Sequence, residues 1–141
     1  MHYYSTNKIS PKVSLQEAVV KGLAPDRGLY MPENIENLPD SFFKSIDKLT
    51  LQEIAKTVSS SFFGDDVHAQ TLDTITSDTL NFEIPLVEVE KGIYVLELFH
   101  GPTFAFKDVG ARFMARMLSY FVKEPAKSSN TSLPTRSLSS G

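Results

Sequence analysis

The sequence predicts an α/β fold, read as α+β over the stretch present, on three observations. Helix-start signals head two amphipathic runs within the first 80 residues. A β-rich pattern with a tight turn occupies residues 86–99. A long apolar stripe at helical spacing follows over residues 104–122.

The elements follow in order. In "SLQEAVVKG", Ser14 and Glu17 have capping-box spacing, and Leu15, Ala18 and Val19 lie behind them at helical intervals. Gly22 can take the left-handed conformation that ends a helix, so a helix over residues 15–21 is expected. Pro25-Asp26-Arg27-Gly28 is turn chemistry, and Leu29-Tyr30-Met31 is a short strand candidate stopped by Pro32. "DSFFKSIDKL" fits one or two helical turns. Thr50 and Glu53 form a second capping box before Leu51, Ile54, Ala55, Val58 and Phe62 on one face. Gly64 ends that helix, and Asp65 or Asp66 can cap a third helix carrying Leu72 and Ile75. The first 80 residues therefore read as mainly helical. Runs 86–90 and 93–99 flank Lys91-Gly92 and predict a hairpin. The second run is almost wholly apolar, which predicts a strand covered on both faces. The helix expected over residues 104–122 has Thr103 as its candidate cap. Phe106, Gly110, Phe113, Met117 and Phe121 form its apolar stripe, and Asp108 and Arg112 have salt-bridge spacing on its polar side.

Composition bounds the function. At 41% hydrophobic and 22% charged residues, 141 residues suit one globular domain and not comfortably two. A net charge of -3 without basic-aromatic clusters argues against nucleic acid as a partner. No run is long and apolar enough for a membrane span, and the first residues lack a signal-peptide core, so a cytoplasmic location is expected. The absence of cysteine excludes thiol catalysis and thiolate metal sites. Asp65, Asp66 and His68 are better read as capping residues than as metal ligands, so no metal is expected. His100 reads as a packed or hydrogen-bonded loop residue, or as a pocket wall.

The chemistry-bearing candidate is Lys107 in "FHGPTFAFKDVGARFM". On the expected helix it shares a face with Ala111, Met114 and Leu118, so it heads an apolar stripe from the positive end of the helix dipole. Apolar burial there would favour the neutral amine that imine chemistry needs. A lysine snorkelling from a helix end explains the same pattern. Gly101 and Pro102 force a tight strand-to-helix passage whose amides can meet a ligand's polar edge, or simply connect two elements.

"SLQEAVVKGLAPDRGLYMP" and "LELFHGPTFAFKDVGARFM" resemble, respectively, the amino-terminal signature of the threonine synthases and the segment with their Schiff-base lysine. The resemblance extends from the first residue to about Val122. It implies an enzyme of fold-type II that uses pyridoxal phosphate to convert O-phospho-L-homoserine and water to L-threonine and phosphate. It implies Lys107 as the catalytic, cofactor-binding lysine and Phe106 as a candidate pocket wall. Residues 1–82 would be the mainly helical amino-terminal domain, and residues 83–122 the start of the cofactor-binding catalytic domain. Arg27 and Phe104 depart from the family, standing where glycine and a smaller aliphatic residue are usual.

Residues 123–141 are Ser-, Thr- and Pro-rich and read as a disordered tail. They do not match the Ser/Gly-rich phosphate loop that the resemblance implies beyond the lysine helix. The expectation is therefore the amino-terminal segment of an enzyme of that family; the alternative is a truncated, non-catalytic fragment, inert or associated with another chain through exposed apolar surface.

Overall fold

The computed structural model describes residues 1–123, so the expected tail lies outside the described residues. The chain opens with strand β1, His2–Ser5, whose Tyr3 and Ser5 point inward. β1 is the centre of a small antiparallel sheet, flanked by β2, Val13–Ser14, and β3, Tyr30–Pro32. Tyr3 faces Val13 on one side and Pro32 on the other. The expected strand at residues 29–31 is thus present, shifted by one residue. The region is less purely helical than expected, because β1 pairs with segments distant in sequence and local periodicity cannot reveal them.

Asp26 organises the turns around this sheet. Its Oδ1 accepts from Ser5 Oγ at 2.6 Å and from the Gly28 amide at 3.0 Å. Its Oδ2 accepts from the amides of Ile9 at 3.0 Å and Ser10 at 2.9 Å. The Ser5 bond, then those from the three amides, hold its carboxyl far below the usual carboxylate range. Gly28 lies so close that a Cβ there would sit 2.0 Å from Ser5 Oγ. Arg27, where the resemblance implies a glycine, takes a left-handed φ of 66°.

Helix α1 spans Leu15–Lys21, as the spacing predicts. Ser14 accepts from the Glu17 amide, and Gly22 closes the helix at φ 71°. Helix α2, Asp40–Ser45, runs into a 3-10 turn at Ile46–Lys48. Helix α3, Leu51–Phe63, carries the complete Thr50–Glu53 capping box. Helix α4, Ala69–Thr79, starts later than an aspartate cap would require. Asp66 instead meets the Met1 ammonium at 3.3 Å, and His68 occupies the cap position without a side-chain bond. The core gathers Tyr3, Val13, Leu15, Ala18, Val67, Leu72, Ile75, Met117 and Phe121.

Strands β4, Leu86–Glu90, and β5, Ile93–Leu96, form the expected hairpin, with Gly92 at φ 79° in its turn. β5 is not covered as its composition predicts: Ile93, Tyr94, Val95 and Leu96 are all exposed. No described element buries either of its faces. Helix α5 spans Asp108–Lys123 and packs on α1 and α4 through Phe113, Met117 and Phe121.

Candidate functional site

The loop between β5 and α5 carries the candidate lysine. Two successive turns shape it: the Phe104 amide donates to Gly101 O, and the Asp108 amide to Ala105 O, each at 3.0 Å. Phe104 adopts a left-handed φ of 56°, which keeps residues 101–107 out of the helix. The expected start at residue 104 is therefore four residues early. Thr103 is not the cap either. Its amide and hydroxyl donate forward to Asp108, at 2.8 and 2.5 Å, rather than its oxygen receiving helix amides.

Asp108 is also not on the polar face. It is only 3% exposed. The Thr103 hydroxyl, followed by the Thr103 amide, holds its carboxyl below the usual range. The expected Asp108–Arg112 salt bridge gives way to a different one-sided arrangement. Arg112 donates to Asp78 O at 2.6 Å and Asn81 Oδ1 at 2.9 Å, with its guanidinium over the Phe82 ring at 5.5 Å.

Lys107 stands one residue before α5, where its carbonyl accepts the Ala111 amide at 2.9 Å. Its side chain is exposed, and no ion pair or hydrogen bond holds the amine among the described residues. Ala111, Met114 and Leu118 do share its side of the helix, but all are exposed. The apolar burial expected around the lysine is thus absent from the described residues, because α5 enters the core through Met117 and Phe121, with Phe113 packed against it, and not through this face. Phe106 is 74% exposed and belongs to the loop, not to the buried stripe. Gly110 is likewise exposed. His100 bonds Glu97 Oε2 at 2.7 Å and stacks on Phe99, in keeping with a hydrogen-bonded loop histidine. The arrangement places an accessible primary amine between an aromatic loop and an apolar helix face. Such an amine can add to a carbonyl compound.

A family model described as the threonine synthase N terminus matches residues 2–80. The chain belongs to the threonine synthase family. Threonine synthase of Haemophilus influenzae is 38% identical over 119 residues, covering 84% of this chain and 28% of that protein. The crystal structure of Escherichia coli threonine synthase superposes with a TM-score of 0.80 at 34% identity, over 86% of this chain and 28% of that one. Pyridoxal-phosphate-bound threonine synthase from Brucella melitensis gives a TM-score of 0.81 at 33% identity, over 87% and 28%. The chain therefore spans little more than a quarter of the length of these relatives. The mixed helix-and-strand fold is that of the threonine synthases' corresponding region.

Sequence reasoning singled out Lys107 and its loop as a candidate site but missed the bond between Thr103 and Asp108. The available signal was Gly101, since a Cβ there would lie 2.5 Å from Asp108 Oδ2. No helix among the described residues is long and apolar enough to cross a membrane.

Proposed function

We propose that the chain is the amino-terminal part of a cytoplasmic threonine synthase and that Lys107 is its pyridoxal-phosphate lysine. In this reading the complete enzyme converts O-phospho-L-homoserine and water to L-threonine and phosphate. The division between amino-terminal and catalytic domains falls at residues 82/83, between α4 and β4. The observation that carries the reading is the exposed, unpaired Lys107 amine on a loop of fixed shape, within a chain of this family. A covalent anchor needs a reachable amine without a competing partner, and the residues present fit that need. Lys107 Nζ would hold the cofactor and, once released, carry protons to and from the substrate carbons. Phe106 would form a wall of the pocket. When bound, the cofactor supplies an electron sink. None of the described residues is assigned to its phosphate or ring nitrogen.

The test is reductive trapping. The chain is incubated with pyridoxal phosphate, reduced with borohydride and mapped by peptide mass spectrometry. An adduct at Lys107 is expected; its absence overturns the anchor assignment.

A second reading has its own observation. The exposed β5 and the Met114–Leu118 side of α5 leave large apolar surfaces uncovered. They favour a non-catalytic role for the 141-residue chain, which then associates with another chain. Phosphate release from O-phosphohomoserine by this chain alone would refute that role.

A further inference from the structure

We propose that Asp108 is a positioning residue for Lys107: tied to Thr103 and seated against Gly101, it fixes the 101–108 loop in the shape that presents the lysine amine. The inference rests on the reading of Lys107 as the anchor. A carboxylate in the first turn of a helix normally sits in water and interacts with the nearby amides. Asp108 is instead buried, and each of its oxygens takes a hydrogen bond from Thr103, the Oδ2 from the amide and the Oδ1 from the hydroxyl.

Three observations separate a loop clasp from an ordinary helix cap. Asp108 reaches five residues backward, so its side-chain bonds tie the loop rather than the helix end. Among the described residues no ion pair forms on it; Arg112 acts on it only through its nearby charge and donates instead to Asp78 and Asn81. Gly101 leaves no room for a side chain: a Cβ would lie 2.5 Å from Asp108 Oδ2 and 3.0 Å from its Cβ. The clasp closes the loop at its base. Phe104, Phe106 and Lys107 project outward between the two ends. Without the clasp, the left-handed turn at Phe104 loses its restraint and the amine samples many directions. Reaction at a positioned amine is sensitive to displacements near 1 Å, by factors up to about a hundred.

The experiment uses the full chain and compares Lys107 with the exposed Lys91 as an internal reference. Pyridoxal phosphate is added, the amine and aldehyde join with loss of water, and borohydride hydride reduces the new carbon–nitrogen bond. Site yields are read by peptide mass spectrometry, with helix content followed by circular dichroism. Asp108→Ala and Gly101→Ala should each lower the Lys107:Lys91 yield ratio by about tenfold. Thr103→Ser, which keeps both donors, should retain it within about twofold. An unchanged ratio in Asp108→Ala overturns the proposal; if thermal stability alone falls, the residue is structural only. If the parent chain traps Lys107 no better than Lys91, the anchor reading fails separately. The clasp is then read with acetic anhydride. A Lys107:Lys91 labelling ratio altered by at least about twofold in Asp108→Ala supports it, and an equal ratio overturns it.

Discussion

At Asp26 four donors converge on one carboxylate and join β1, the 5–10 turn and the 24–28 turn. Tyr3 supplies the opposite case: burial, then the nearby Asp66 charge, pushes its phenol up to about 12. Both residues predict the shape of the stability profile. In the unfolded chain Asp26 takes up a proton near pH 4, while the folded carboxyl stays ionised well below that. The unfolded state then binds more protons, so stability falls as pH drops below about 4. Unfolded Tyr3 ionises near pH 10 and folded Tyr3 near 12, so its contribution is complete below about 10 and lost as pH rises through 12. Urea midpoints across the pH range should show a plateau with both limbs. Asp26→Asn should lower the plateau and flatten the acid limb, and Tyr3→Phe should flatten the alkaline one. A plateau unaffected by Asp26→Asn would contradict this account.

At the scale of elements, Arg112 joins two helices and a linker. It caps the carbonyl of Asp78 near the end of α4, holds Asn81, and lies over Phe82 ahead of β4. Arg112→Ala should destabilise the chain by about 1 kcal/mol, since the site is partly exposed. Arg112→Lys should recover only part, because an ammonium lacks the planar fork that serves both acceptors. Denaturant melts of the two variants check the ordering. The elements legible in the sequence were those specified locally. Ser14 and Thr50 announced α1 and α3, and Lys91-Gly92 announced the hairpin. The elements that escaped depend on distant partners. β1 is a strand because residues 13–14 and 30–32 lie beside it. The start of α5 was misplaced because Thr103 donates to Asp108 instead of capping, a choice set by the loop's three-dimensional path. Lys107 stood out in the sequence as a candidate, but its exposure did not, because a helix face shows periodicity whether or not anything covers it.

Over the whole molecule, apolar surface is unevenly distributed. Leu72 and Met117 are sealed, whereas every residue of β5 is open to solvent. A hairpin left uncovered and with unpaired edges among the described residues favours self-association. Sedimentation velocity should show weight-average mass rising with concentration, and Ile93→Lys should reduce the rise. Ideal monomer behaviour at high concentration would count against it. The core has a different kind of asymmetry. Tyr3, Val13 and Leu15 are closed over by Met117 and Phe121, and Gln16 reaches the Phe121 carbonyl at 3.3 Å. On a ribosome adding about 5–20 residues per second, Phe121 is joined roughly 6–24 s after the first residue. Until then the start of the chain has no lid, and a nascent-chain chaperone has that interval in which to hold it.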